Sequence, residues 1–314
     1  MREILSFCLF FLEIILRTLH ILAYWCIINI NFYVGDDTMS IELQNDIEYA
    51  KSILDNECHD KFRKIYTNTN EDLSLLFSQL DLSDKNILTV LSSSDYLYMS
   101  YLFGAKRVDC FDINPLTFRL FYLRKWLINN NIIDIGFCSY EDVIRVLMNM
   151  EKTNTDNEKE SLLFWKEVLS KMGESDFYHN RLFTTIFNPF NSFYKDKLVN
   201  LSKILSYVDP TFYSFDICDN LGINIDKRYD FIFLSNVLDY NRSRESLDAA
   251  FNNLLPLVDK QGKIVCAHIS QIANEDFTQV LDLEKKVFQD AFEYSHIIAS
   301  DENQPIHYYQ YTKK

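Results

Sequence analysis

The chain has 314 residues, 48% of them hydrophobic and 24% charged, which suits one large domain or one domain with a substantial insertion. Its formal net charge is −14, and its basic residues form no run longer than two, as in Lys313 and Lys314 at the tail, so a nucleic-acid backbone is a poor partner. Six glycines exclude a glycine-rich phosphate loop, and seven cysteines without a CxxC pair read as reduced, buried side chains of a cytoplasmic protein.

Residues 1–38 are strongly apolar, most of all over 4–34, but Glu13, Arg17 and His20 interrupt the run. An acid or base near a bilayer centre is costly. Three readings stand: a membrane anchor, a segment translated from upstream of a start at Met39, or a helix packed on the core. Residues 39–85 follow as N-terminal helices, with helical spacing of apolar residues over 41–56 and 71–80.

From residue 86 the period changes. Ile87-Leu88-Thr89-Val90-Leu91 is a continuous apolar run behind a polar turn, the pattern of a buried strand. A helix is expected over 96–103 and is stopped by Gly104. A second strand is expected over 107–112, then a helix opened by Pro115 and running to about residue 129. Residues 139–208 read as a helical insertion. Strands return over 211–217, 229–235 and 263–269, with a helix over 244–257 between the last two. Residues 293–299 and 306–312 read as a closing antiparallel hairpin. Such alternation predicts an α/β Rossmann-like domain over 86–314, with a mostly parallel sheet covered on both faces.

In such a sheet, ligands sit beyond the carboxyl ends of the strands. After the first strand come Ser92, Ser93, Ser94 and Asp95, small polar residues that suit either a capped turn or close approach of the backbone to a ligand. After the second come Asp112 and Asn114. An acid about 20 residues past the first loop is placed to accept from both hydroxyls of a ribose, or else to cap the next helix. After the third comes Asp216, an acceptor suited to an adenine amino group. After the fourth come Ser235, Asn236, Asp239 and Tyr240, of which the last three can orient an acceptor or take a proton. The histidines show no metal-ligand spacing, so no metal site is expected.

The residues around these loops resemble a known family. Ile87 to Val90, Ser92 to Asp95, Gly104 to Pro115, Tyr140-Glu141, Phe164-Trp165, Asn188-Pro189-Phe190 and Tyr229 to Tyr240 are similar to the DUF3419 family. That family is similar to the S-adenosylmethionine:diacylglycerol 3-amino-3-carboxypropyltransferases. The resemblance covers roughly residues 56–269 and implies a class I methyltransferase-like fold. It further implies S-adenosylmethionine as cofactor and transfer of a methyl or 3-amino-3-carboxypropyl group to a small-molecule or lipid acceptor. A catalytically silent domain that has lost the donor is the alternative. Ser94 stands where the family usually has glycine, and Tyr96 where Gln is common. With negative φ, Ser94 can cap its helix and leave the pocket intact; forced to positive φ, it is strained and the pocket narrows; the small polar Ser92, Ser93 and Asp95 favour an intact pocket. Localisation follows the first segment: cytoplasmic, or membrane-associated through residues 4–34.

Overall fold

In the computed structural model the chain divides into two units, Met1–Ile41 and Glu42–Lys314. The structure describes residues 39–55, 63–130, 140–149, 155–178, 182–183, 196–219, 225–240, 243–269, 277–299 and 306–314. The apolar run at 4–34, the Asn188-Pro189-Phe190 motif, His59 and His179 lie outside the described residues.

Seven strands form one sheet: β1 (Asn86–Val90), β2 (Arg107–Asp112), β3 (Phe212–Ser214), β4 (Tyr229–Ser235), β5 (Val258–Ile269), β6 (Phe292–Ala299) and β7 (Ile306–Lys313). Their order is β3-β2-β1-β4-β5-β7-β6. β1 to β5 pair in parallel, and β7 runs antiparallel to both β5 and β6. This is the expected Rossmann-like sheet, in the class I methyltransferase strand order, with its antiparallel C-terminal hairpin.

The strands are apolar on both faces because both faces are covered. Along β1 and the residue after it, Ile87 and Leu91 join one core while Leu88 and Val90 join the other. In β4, Phe231 and Phe233 point one way and Ile232 and Leu234 the other, while Tyr229, before a register shift, joins the second core out of phase. This is the two-residue period of a strand read out on two packed layers. Each fully buried Leu or Ile contributes roughly 1.5–3 kcal/mol by leaving water.

The first core is built with α1 (Ile41–Asp55), α2 (Leu73–Ser78), α3 (Asp95–Leu102), α4 (Leu116–Asn129), α5 (Tyr140–Asn149), α6 (Asp156–Tyr178) and α7 (Leu198–Leu205). The short α8 (Val237–Tyr240), α9 (Arg244–Leu254) and α10 (Phe277–Phe288) supply the second core with Leu238, Leu247, Ala250, Leu254, Val287 and Phe288. Helices α5, α6 and α7 fall between β2 and β3 in the chain, within the stretch read as an insertion. Gly104 follows α3 at φ 91°, a left-handed stop that a side chain resists.

Two boundaries differ from expectation. β3 has three residues, because only Phe212, Tyr213 and Ser214 pair with β2 before the chain turns away. β5 begins five residues early, at Val258, which pairs with Tyr229 across a register shift. The polar Asp259-Lys260-Gln261-Gly262 reads as a turn in sequence. A Cβ at Gly262 would lie 2.8 Å from the Tyr229 carbonyl, so the backbones approach closely there and the strand runs through it.

Candidate functional site

The chain builds β1, β2 and β3 to one side and then crosses to place β4 on the other side of β1. The crevice between the carboxyl ends of β1 and β4 is therefore the switch point where ligands of such sheets bind. Most of the predicted residues converge around it.

After β1 the backbone makes a tight polar turn. Ser92 has φ 44° and Ser94 φ 68°, both left-handed. The Ser94 N–H donates to the Leu91 carbonyl at 2.6 Å. Ser94 is fully buried and its hydroxyl makes no capping bond. Of the two alternatives, the structure takes positive φ: a glycine conformation is imposed on a serine, at a cost of about 1–2 kcal/mol.

Asp112 ends β2 and joins the two loops. Its Oδ2 accepts from the Ser92 N–H at 2.7 Å, and its Oδ1 from the Asn114 N–H at 2.8 Å. Burial pushes its carboxyl up to about 6, against these hydrogen bonds. Asn114 serves the scaffold. Its Oδ1 accepts from the Leu116 N–H at the start of α4, and its Nδ2 donates to the Lys64 carbonyl at 3.1 Å.

Asp95 is bound within the fold. Its Oδ1 pairs with Arg124 of α4 at 2.9 Å, both side chains wholly buried. Its Oδ2 accepts from the Thr69 N–H at 2.7 Å and from the Ser93 hydroxyl at 2.8 Å. Arg124 further donates to the Ser93 carbonyl. Ser93 and Asp95 thus hold the turn to its surroundings, since a buried charge persists only when paired.

Residues 63–72, which sequence reading left without a role, pass across these loops in order. Lys64 meets Asn114, Thr69 meets Asp95, and Glu71 reaches the end of β4. The Glu71 Oε2 accepts from the Tyr96 hydroxyl and its Oε1 from the Ser235 hydroxyl. Ser235 itself sits at φ 52°. Glu71 is buried, and burial pushes its carboxyl up to about 7, over the opposing effect of the two hydroxyls. In sequence Glu71 is an ordinary acid before a helix, and its nearest signal is position, not pattern.

Beyond Ser235, Asn236 and Tyr240 are half-buried. Asn236 Oδ1 lies 3.4 Å from the Ser235 hydroxyl. Asp239 is buried and stands 2.5 Å from His268 Nδ1 on β5. His268 Nε2 faces Glu284 of α10 at 3.3 Å. Burial alone would lower the imidazole, but the two carboxylates outweigh it and raise it to about 10. At neutral pH His268 is therefore a cation between two acids. Its lone position in sequence concealed this, since Asp239 and Glu284 come from other elements. Asp216 is half-buried past β3, its Oδ1 accepting from the Cys218 N–H at 2.8 Å.

The site is rich in acids: Asp112, Glu71 and Asp239 surround the crevice while Arg124 and His268 are held in buried ion pairs. An open groove of about 660 Å³ lined by Phe103, Lys197 and Ile204 lies at the other end of α3 and contains none of these residues.

No protein-family model matches the chain, and no curated protein matches it. Among solved structures it is similar to the N-methyltransferase NodS of Bradyrhizobium japonicum in complex with S-adenosyl-L-homocysteine. That match has 10% identity and TM-score 0.40, and covers 86% of this chain and 98% of that one. A TehB-like SAM-dependent methyltransferase from Corynebacterium glutamicum gives 10%, 0.40, 86% and 99% in the same order. An rRNA methylase from Streptococcus thermophilus gives 9%, 0.37, 78% and 99%. At these values the fold assignment rests on strand order and register, described above.

Proposed function

We propose that the chain is an S-adenosylmethionine-dependent transferase related to the DUF3419 family, moving a methyl or 3-amino-3-carboxypropyl group to a small-molecule or lipid acceptor. The observation that carries this is Asp112, buried at the end of β2 and bonded to the turn after β1 twenty residues earlier, beside the switch point. Its carboxyl already accepts from the Ser92 and Asn114 N–H groups, with Thr117 and Ile113 also donating to it, and it receives a ribose hydroxyl beside them. The residues present fit a cationic donor: Asp112 and Glu71 are buried acids at the crevice, and among the described residues neither is in an ion pair. When bound, the donor supplies electrophilic carbon next to a sulfonium.

The chain's own residues then bind and orient. Asp112 accepts from the ribose, Asp216 receives an adenine amino group, Ser235 helps hold the donor, and Asn236 and Tyr240 line the acceptor side. Asp239, held by His268, is the candidate proton acceptor. The acidic character of the chain disfavours nucleic acid as acceptor. Among the described residues no helix is long and apolar enough to cross a membrane. Membrane association rests on residues 4–34, and fractionation of the full chain against one starting at Met39 tests it.

The second reading, a domain that has lost its donor, is favoured by Ser94: a buried side chain at φ 68° narrows the turn where glycine gives room. Calorimetry with S-adenosylmethionine separates the two. Saturable binding that Asp112→Ala weakens supports the transferase. No binding by the full chain refutes it, and mass spectrometry of acceptor extracts then identifies the product only in the first case.

A further inference from the structure

The buried acids of this chain mostly face cations. Asp46 pairs with Arg119, Asp95 with Arg124, Asp109 with Lys227, and Asp239 with His268. Among the described residues Glu71, Asp112 and Glu158 are in no ion pair; Asp112 accepts from backbone N–H groups, whereas Glu71 accepts from the hydroxyls of Tyr96 and Ser235. Its two anchors come from opposite walls of the switch-point crevice. Tyr96 lies in the first turn of α3, after β1, and Ser235 ends β4. The backbone at Ser92, Ser94 and Ser235 around it is left-handed at three non-glycine residues. Strain of that kind is retained where the surrounding structure enforces a working geometry.

A buried carboxyl without a cation is costly, and its cost is removed when a positive ligand supplies the missing charge. We infer that Glu71 is the counter-ion of the crevice, the carboxylate that recognises the positive charge of the bound donor. The inference rests on the S-adenosylmethionine reading and deepens it. Tyr96 and Ser235 hold the carboxylate across the crevice until the charged ligand takes over as its partner. The groups facing it are Asp95, already paired with Arg124, Asp239, already paired with His268, and the hydroxyls of Tyr96 and Tyr308.

Three probes that share an adenosine differ in charge. S-adenosylmethionine carries a sulfonium and an ammonium, S-adenosylhomocysteine an ammonium alone, and 5′-methylthioadenosine neither. Calorimetry on the full chain and on Glu71→Gln, with folding checked by melting, reads the difference. The expected result is a loss of about ten- to a hundred-fold for S-adenosylmethionine and an unchanged affinity for 5′-methylthioadenosine. An equal loss for S-adenosylhomocysteine assigns Glu71 to the ammonium; a smaller one assigns it to the sulfonium. Glu71→Asp, which keeps the charge, should recover part of the loss. Unchanged S-adenosylmethionine binding in Glu71→Gln, or an equal fall for all three probes, overturns the inference while leaving the donor reading intact. Binding of none of the probes by the natural chain overturns both. Should Glu71→Gln not fold, the natural chain decides: its affinity for S-adenosylmethionine must rise more between about pH 6 and pH 8 than that for 5′-methylthioadenosine, which shares only the Asp112 contact. Parallel pH profiles overturn the inference.

Discussion

Glu71→Gln makes a prediction about stability that is independent of any ligand. Burial raises the Glu71 carboxyl from its ordinary 4.5 to about 7 in the folded chain. A group raised in this way gives its full stabilisation below the unfolded value and loses it as pH rises through the folded value. The gap, about 7 minus 4.5, is about 2.5 pH units, which corresponds to roughly 3 kcal/mol lost between about pH 4 and pH 8. Glutamine cannot ionise. Its carbonyl still accepts from the Tyr96 hydroxyl, and its amide can donate to Ser235 Oγ, so no buried partner is abandoned. The variant is therefore expected to exceed the natural chain by roughly 3 kcal/mol at pH 8, with the difference closing near pH 4. At about 2–4 °C per kcal/mol this is a rise in Tm of roughly 6–12 °C. Urea unfolding of both chains across that pH range measures it. Equal stability at pH 8, or a difference that does not change with pH, refutes the reasoning, because only ionisation of a buried carboxyl produces a gap with that midpoint.

Asp112→Ala should weaken donor binding by about 1.5–3 kcal/mol, the range for hydrogen bonds to a charged group, and unchanged affinity in a folded variant removes Asp112 from the site. Ser94→Gly should stabilise the chain by about 1 kcal/mol, since glycine adopts φ 68° freely; a destabilised variant would show that the serine is not strained. The same variant reports on function: little change in donor affinity supports a working site, whereas a gain from none to micromolar would mark the natural chain as a degenerate relative. Arg124→Ala leaves Asp95 buried without its cation and should cost roughly 3–5 kcal/mol by chemical denaturation; a loss under 1 kcal/mol would mean that Thr69 and Ser93 satisfy Asp95 alone.

The sheet was legible in the sequence because strands buried on both faces are continuous apolar runs, as in Ile87 to Leu91 and Tyr229 to Leu234, and because helices between them carry their own stops, as at Gly104. The places where strands end were legible too, so Ser92, Asp112, Ser235 and Asp239 could be named before any coordinates. What each of them touches was not. Asp95 and Asn114 look like ligand-facing loop residues, yet one is spent on Arg124 and the other caps α4. Ser94 at positive φ was decided by the closing of the turn, which local preference opposes. Glu71 reaches Ser235 across 164 positions, and His268 reaches Asp239 and Glu284 from a different strand and helix. Periodicity and spacing report only which face a residue occupies within its own element. Charge pairing between elements is set by the packing of the sheet and its layers, and only the tertiary structure decides it.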